Sequence, residues 1–224
     1  MRVTWIGQAG LLFKTDRLLI MIDPYLSNSV EMIMPKNYRR IEINEKFFDC
    51  KPDIVIFTHA HADHFDPETI KHFINEKSRV TVLAPQSVYE KVRCFGGDNN
   101  YVLFNRHTEW SEENIKFTAV KAEHSDPSSI GVIIEAECKK IYVTGDTLYN
   151  EDIFRDLPEY IYALFLPING VGNNMNMTDA ARFAERVAPK VTIPIHIGMF
   201  DKLSADGFNC PTKRILKVYE ETEL

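Results

Sequence analysis

Short apolar runs separated by polar turns dominate the pattern of this chain. Runs of about four to eight apolar residues, rich in β-branched side chains, are typical of buried or half-buried strands. On this basis the sequence predicts strands over residues 2–6, 11–14, 18–22, 53–58, 80–84, 101–104, 115–120, 131–137, 140–143, 161–166 and 191–195. It predicts helices over residues 67–75, 86–94, 179–187 and 211–221. This alternation indicates an α/β or α+β fold.

Two of the predicted helices begin with recognisable capping residues. Asp66 is predicted as the N-cap of the first helix, with Pro67 at its first position, and Thr178 as the N-cap of the third. No repeat, low-complexity segment or linker interrupts the pattern. We therefore expect a single domain over residues 1–224, large enough to bury a sizeable core.

The connection between the third and fourth predicted strands, residues 27–48, is unusually long. It combines the apolar residues Met32, Ile33 and Met34 with Arg39 and Arg40. Loops of this length are usually functional or disordered. Two interpretations stay open, which are a flap close to a substrate and a surface loop with a short helix.

The segment after the fourth predicted strand contains four potential metal ligands, His59, His61, Asp63 and His64. In extended backbone, His59 and His61 project to the same side, and the other two follow in the turn, within reach of a second point. Neutral imidazole and carboxylate are good ligands for zinc and similar divalent ions. The alternative, a polar loop whose histidines only cap a helix, fits less well with the strand in front.

This HxHxDH motif after an apolar strand resembles the signature of the metallo-β-lactamase superfamily. The superfamily places a lone His, then an Asp, then a last His downstream, each at a strand end. The chain has His124, Asp146 and His196 in that order. The resemblance extends from about residue 2 to about residue 200, and within the superfamily it is greatest to the L-ascorbate-6-phosphate lactonase-like group. Many relatives have His where this chain has Gln8, so the role of that His is not transferred.

The resemblance implies an α+β fold, an αββα four-layer sandwich of two mixed β-sheets flanked by helices. It also implies a site for two divalent metal ions at one edge, between the sheets. His59, His61 and His124 would hold one ion. Asp63, His64 and His196 would hold the second, and Asp146 would bridge the two. The ligand set suits Zn²⁺ first, with Mn²⁺ or Fe²⁺ as alternatives.

The implied chemistry is hydrolysis by a metal-bridging hydroxide, so no Ser or Cys nucleophile is required. Asp63 is the candidate catalytic residue for proton transfer, with water as the alternative. Asp23, at the end of a predicted strand, is interpreted as an outer residue that orients a ligand histidine, the alternative being a turn aspartate before Pro24.

The predicted substrate is a lactone or related ester of a small metabolite, with phosphorylation of that metabolite left open. The alternatives are a dinuclear phosphodiesterase or nuclease and, with less support, a non-enzymatic metal-binding protein. A flavodiiron-like redox protein is disfavoured, because those relatives typically have Glu at the position of His61. Candidate contacts for an anion are Arg39, Arg40, Arg106 and Lys202, although a solvated surface charge is the favoured interpretation of each.

Composition and charge limit the classes of partner that we expect this protein to bind. Apolar residues make up 45% of the chain and charged residues 26%, which is typical of a globular protein. The net charge of −6 argues against nucleic acid as the main partner. No apolar run approaches the roughly 20 residues of a membrane span, and we expect a cytoplasmic protein with a small-molecule substrate. The four scattered cysteines are expected to be reduced, and a homo-oligomer stays open.

Overall fold

The computed structural model describes residues 1–224 and is built mainly from two mixed β-sheets. The strands β1–β13 are Arg2–Gly7, Gly10–Lys14, Leu19–Ile22, Ile54–Ile56, Thr81–Ala84, Asn100–Leu103, Glu109–Glu112, Ile115–Lys121, Ile130–Ala136, Lys139–Val143, Ala163–Pro167, Val191–Ile195 and Glu221–Glu223. The helices α1–α4 are Ser29–Ile33, Pro67–Ile70, Gln86–Val92 and Met177–Val187. Short 3-10 helices span Glu45–Asp49, Arg93–Phe95, Glu151–Arg155 and Ala205–Gly207. The predicted α+β sandwich of two mixed sheets is confirmed.

Strand direction explains why the carboxyl ends of many strands lie at one edge of the sandwich. The first sheet has the order β13-β1-β2-β3-β4-β5-β6 and the second the order β12-β11-β10-β9-β8-β7. Strands β3 to β6 are mutually parallel, and so are β10 to β12. Strand β2 is antiparallel to both β1 and β3, so β1 runs in the same direction as β3. In the same way β9 is antiparallel to both β8 and β10, so β8 runs in the same direction as β10. The carboxyl ends of all these strands therefore gather at one end of each sheet.

The apolar core lies between the sheets and under the helices. Phe13 of the first sheet meets Phe165 of the second edge-to-face, with ring centroids 5.5 Å apart. Helices α2 and α3 cover the outer face of the first sheet, where Ile70 and Val88 belong to the same buried cluster as Val55. On the second sheet, helix α4 places Phe183 in the core near β10. The result is the four-layer order helix, sheet, sheet, helix.

The C-terminal segment corrects one prediction. The helix predicted over residues 211–221 is wrong, because this stretch is an irregular segment followed by β13, which pairs antiparallel with β1. Leu216 is buried and packs in the main core, and the amide of Arg214 donates to the carbonyl of Thr192. Pairing with two strands thus satisfies the backbone groups of this segment, and tertiary contacts override its helical propensity.

The predicted helix starts are only partly right. Asp66 does cap α2 by accepting from the amides of Glu68 and Thr69, with Pro67 at the first position. Thr178 is not the cap of α4, because the helix begins earlier and the side chain of Asn176 accepts from the amides of Thr178 and Asp179. Helices α2 and α3 are also shorter than predicted, since α2 ends in a turn and α3 continues as the 3-10 helix Arg93–Phe95.

Strand β7 (Glu109–Glu112) was not predicted. It is a polar edge strand of the second sheet, so it shows no buried apolar pattern. The four cysteines are all unpaired, as expected. None of the helices is long and apolar enough to cross a membrane.

Candidate metal centre

All seven predicted ligands lie together at the edge where the strands end. The strand–ligand pairs are β4 with His59, β8 with His124, β10 with Asp146 and β12 with His196. The remaining three ligands, His61, Asp63 and His64, lie in the turn that follows His59. Strand ends anchored in two packed sheets position side chains more accurately than a free loop does.

Several residues at this edge have left-handed backbone conformations. His196 has φ of 61° and Asp23 has φ of 43°, which are uncommon values for residues other than glycine. At Gly145, with φ of 62°, an added Cβ would lie 2.8 Å from the Ile130 carbonyl oxygen and 2.9 Å from Thr58 Cβ. Only glycine fits there, so it allows the chain to turn directly into Asp146. Strained backbone of this kind clusters at functional sites.

The first set of donor atoms, here called the histidine group, consists of His59, His61 and His124. His61 Nδ1 lies 3.1 Å from His59 Nε2 and 3.1 Å from His124 Nε2. Ligands at about 2.0–2.1 Å from a tetrahedral zinc ion are separated by roughly 3.3 Å. The three nitrogens therefore have the spacing and the convergence of ligands to one cation.

The second set, here called the carboxylate group, consists of Asp63, His64 and His196, with Asp146 beside them. His196 Nε2 lies 3.3 Å from His64 Nε2 and 3.3 Å from Asp63 Oδ2. Asp146 places Oδ1 at 3.3 Å from His64 Nε2 and Oδ2 at 3.1 Å from His196 Nε2. This set also fits a divalent ion, with oxygen and nitrogen donors at ligand spacing.

The two groups are neighbours. The ring centroids of His59 and His64 lie 3.9 Å apart. The charge of Asp146 affects both groups. Burial lowers the pKa of His59 and of His124, and the negative charge of Asp146 opposes this lowering in both residues. The Asp146 carboxylate lies against His64 and His196, at 3.3 and 3.1 Å, and acts on the histidine group through its charge.

Asp23 holds members of both groups. Its Oδ2 lies 2.8 Å from His64 Nδ1 and accepts a hydrogen bond of 2.5 Å from Thr58 Oγ1. Since the Thr58 hydroxyl hydrogen is used on Asp23, the oxygen is free to accept from His59 Nδ1, 3.0 Å away. When they are neutral, both imidazoles then present an unprotonated Nε2 to the site. Asp23, His59 and His64 also form a third cluster of potential ligands, but the oxygens of Asp23 already serve these hydrogen bonds.

The other histidines have outer partners on the loop after β11, residues 168–176. His124 Nδ1 lies 3.2 Å from the carbonyl oxygen of Asn173, which leaves Nε2 toward the histidine group. Asn169 places its amide 3.0 Å from His196 Nδ1, while its own Oδ1 is buried without a partner. If the side-chain amide of Asn169 is rotated by about 180°, Oδ1 accepts a hydrogen bond from His196 Nδ1–H. The buried Oδ1 then has a partner, and so does His196 Nδ1.

Four site residues were missed by reasoning from sequence. Asn174 Nδ2 donates to Asp146 Oδ2 at 2.7 Å, and Gln8 Nε2 donates to Asp63 Oδ2 at 2.8 Å. Asp126 accepts from the Ala60 amide at 3.0 Å and so holds the HxHxDH turn. Asn169 is the fourth. An Asn-rich loop between a buried strand and a helix was the one available signal, because the contacts themselves join residues distant in the chain.

Burial keeps His59 and His124 of the histidine group neutral. It lowers the pKa of His59 well below the usual range, and the charge of His64 adds to this effect. Burial also lowers the pKa of His124. Neutral imidazole is the form that binds a metal ion, so these two side chains are ready for it at neutral pH.

Charge balance governs the carboxylate group. Burial by itself would lower the pKa of His196, but Asp146 and Asp63 raise it to about 10. In the same way the carboxylates of Asp146, Asp63 and Asp23 outweigh burial and raise the pKa of His64 well above its usual range. Burial opposes ionisation of Asp63, yet His64 and His196 lower its pKa well below the ordinary value. Protons on two imidazoles thus balance the carboxylates, and a bound cation displaces such protons.

A cavity of about 790 Å³ opens above the ligands. Its floor includes His61, Asp63, Asp146 and His196. Its walls come from α1 with the residues after it, from the 168–176 loop, and from Phe200 and Asp201. The 27–48 connection therefore borders the site, as the flap interpretation predicts, and it contains the short helix of the alternative interpretation.

The candidate anion contacts do not line this cavity. Arg39 donates to the carbonyls of Tyr25 and Ile41, both at 2.7 Å. Arg106 forms a two-point ion pair with Asp156, at 2.7 and 2.8 Å. The other two candidates also lie away from the lining, since the Arg40 guanidinium stacks 4.1 Å above the Tyr38 ring and Lys202 is exposed.

Comparison with known proteins agrees with this geometry. Residues 19–197 match the model of the beta-lactamase superfamily domain. A UPF0173 metal-dependent hydrolase of Methanopyrus kandleri is 27% identical over 219 residues. The alignment covers 92% of this chain and 88% of that protein. A metal-dependent hydrolase of Parabacteroides distasonis is 25% identical, with a TM-score of 0.68 and coverage of 96% and 92%.

A metallo hydrolase of the archaeon Ignicoccus hospitalis has the same fold, with a TM-score of 0.77 at 20% identity, covering all of this chain and 98% of that one. The family match extends over most of the chain and includes the HxHxDH turn, His124, Asp146 and His196. The chain therefore belongs to the metallo-β-lactamase superfamily and groups with its metal-dependent hydrolases.

Proposed function

We propose that this protein is a hydrolase that opens a lactone or cleaves a related ester of a small molecule, with two divalent ions held by its seven converging side chains. The observation that carries the proposal is the adjacency of the two donor groups, with Asp146 against the carboxylate group, directly below an open cavity. Zn²⁺ is the first expectation, and Mn²⁺ or Fe²⁺ would suit the same nitrogen and oxygen donors.

When bound, such ions lower the pKa of a coordinated water and polarise a carbonyl oxygen. The protein's own contribution is orientation. Asp23 and Thr58 keep the imidazoles of His59 and His64 in the tautomer that presents Nε2. Asn174 holds Asp146 in place through a 2.7 Å hydrogen bond. These outer contacts keep the donor atoms converged before a cation arrives.

Asp63 is the candidate for proton transfer. Its side chain is 18% exposed and lines the cavity, whereas that of Asp146 is only 6% exposed. The Gln8 amide donates to Asp63 Oδ2 and limits its rotation. A carboxylate in this place is positioned to accept a proton from the attacking water and to return it to the leaving alcohol.

Phosphodiester hydrolysis would use the same ligands, and it is the second candidate. The cavity lining contains no Lys or Arg side chain that would bind the rest of a phosphodiester substrate. Carbonyl substrates are therefore favoured over nucleic acid or another polyanion.

Elemental analysis of protein purified without added metal, combined with a hydrolysis panel of lactones, carboxylic esters and phosphodiesters, tests the proposal. We expect about two ions per chain and turnover of a lactone or ester that a chelator abolishes. Asp63→Ala with full metal content and unchanged turnover would remove Asp63 from proton transfer. His72→Ala is the matched control, because His72 is exposed and lies outside the site. A fully metal-loaded protein without activity on the whole panel would refute the proposal.

A further inference from the structure

The cavity above the ligands has an apolar rim on two opposite sides. Val30, Ile33 and Met34 line it from α1 and the residue that follows, and Val171 lines it from the 168–176 loop. Ile33 is 69% exposed, Met34 55% and Val171 63%. Single exposed apolar residues are ordinary, but several that converge on one cavity indicate a binding surface. The apolar side chain of Phe200 extends this surface inside the cavity.

The same cavity lacks basic side chains. Neither Lys nor Arg is among the lining residues, and the charged ones, apart from the histidines, are Asp63, Asp146 and Asp201. Asp201 is already engaged, because its Oδ1 accepts from the amides of Gly198 and Leu203. A phosphate or carboxylate on the remote part of a substrate would therefore face apolar groups and carboxylate charge without a partner, which is costly.

Polar groups lie closer to the ligands. Ser125, Asn173 and Asn174 line the part of the cavity that also contains His61 and Asp146. Ligand cavities of roughly 300–1,000 Å³ typically combine an apolar wall with a few polar groups that orient the reacting bond. The volume of about 790 Å³ leaves room for an apolar group of several carbons beside that bond.

We propose that the substrate is an uncharged lactone or ester with an alkyl or similarly apolar substituent, which lies between α1 and the 168–176 loop while the carbonyl faces the ligands. This inference rests on the proposed hydrolase function and replaces the phosphorylated metabolite that the sequence left open. In the reaction, the oxygen of one water forms a bond with the acyl carbon and the acyl–oxygen bond breaks. The leaving oxygen takes up one proton, and the new carboxylic acid releases another at neutral pH.

The test is a series of γ-lactones with methyl, propyl and hexyl substituents, assayed with the metal-loaded full-length protein. Burial of each added methylene in an apolar cavity should raise kcat/KM by about fourfold until the cavity is filled. A lactone with a phosphate at the end of the same chain should be a poorer substrate than its uncharged counterpart. A flat dependence on chain length, or a preference for the phosphorylated lactone, would overturn the inference and leave the hydrolase proposal intact.

Two variants test the location of the substituent. Ile33→Ser and Val171→Ser should each reduce the gain in kcat/KM from methyl to hexyl by about tenfold. Met32→Ser is the matched control, because Met32 is 85% exposed on the same helix but does not line the cavity. Equal effects of Ile33→Ser and Met32→Ser would overturn the placement. Full metal content without hydrolysis of any lactone or ester would instead refute the proposed function, and this inference with it.

Discussion

The histidine group and the carboxylate group differ in exposure and in charge, although both lie at the same edge of the sandwich. In the histidine group His61 is exposed and His124 half-buried, whereas His64 and His196 of the carboxylate group are buried. The first group contains only imidazoles. The second combines imidazoles with Asp63 and has Asp146 beside it.

The hydrogen-bond partners behind the ligands also differ between the two groups. His124 is held by one main-chain carbonyl, that of Asn173. His64 is held by the carboxylate of Asp23, and Asp146 by the amide of Asn174. The carboxylate group is thus the more charged of the two and has the more polar outer contacts, while both groups reach the cavity floor, through His61 on one side and through Asp63 and His196 on the other. The two ions should therefore bind with different affinities, and the following substitutions test this difference.

The largest effect is expected from Asp146→Ala, which removes the carboxylate between the groups. Both metal occupancies should fall, and kcat/KM should decrease by well over the roughly 10–100-fold that is typical of outer residues. Metal content after dialysis and the hydrolysis rate on one lactone measure this. If one ion remains bound at full occupancy, Asp146 belongs to a single group and does not bridge.

A matched pair separates the two groups. His124→Ala should leave about one ion per chain, in the carboxylate group, and His196→Ala should leave the remaining ion in the histidine group. Because the carboxylate group carries the compensating negative charge, we expect the ion in His124→Ala to be the harder one to remove with a chelator. Equal chelator sensitivity in the two variants would contradict the difference between the groups.

An intermediate effect is expected from Asp23→Asn. The amide NH₂ cannot accept from His64 Nδ1–H in the native geometry, and the link through Thr58 to His59 is weakened as well. Metal affinity should fall by roughly 10–100-fold, with a smaller change in affinity for Thr58→Ala, which removes only the link to His59. Chelator competition gives both values. Unchanged affinity in Asp23→Asn would show that the histidines are oriented without Asp23.

The smallest effect is expected outside both groups. Asp156 accepts from the Arg106 guanidinium and from the Lys121 amide, and although burial opposes its ionisation, these contacts lower its pKa to about 2. Its folded pKa lies below the unfolded value, so its stabilisation is present above about pH 4 and is lost as the pH falls toward 2. Asp156→Asn should cost about 1–2 kcal/mol of unfolding free energy at neutral pH.

Urea unfolding of the metal-free Asp156→Asn protein measures this cost, and the difference from wild type should shrink near pH 3. Metal content should stay unchanged. A loss of metal in this variant would mean that general destabilisation, and not the removal of a ligand, explains losses seen at the site.

The pattern of apolar residues was sufficient for most strands. For every strand that was predicted, the predicted and observed ends agree within about two residues. The apolar pattern did not predict the elements whose residues show no regular alternation of buried and exposed positions. Strand β7 is polar, and the terminal segment pairs with β1 and Thr192 although its local sequence favours a helix.

The candidate ligands were predictable because each follows an apolar strand in a known order. Most of their outer partners were not, because Gln8 is 55 residues from Asp63 and Asn174 is 28 residues from Asp146. Such pairs carry no local signal, and only the packing of the two sheets brings them within hydrogen-bond distance. Asp23 was nevertheless anticipated, since it ends a strand.

By itself the sequence indicated a strand-rich α/β or α+β architecture, because this follows from the spacing of apolar residues along the chain. Through its resemblance to a known superfamily it also indicated the sandwich fold, the family and the seven candidate ligands. The tertiary structure decided how the ligands divide into a group of imidazoles alone and a group that combines imidazoles with carboxylate charge. It also decided that Arg39 and Arg106 are engaged away from the site and that α1 brings an apolar wall to it. These features depend on which distant segments meet, and that is set by the packing of the whole fold.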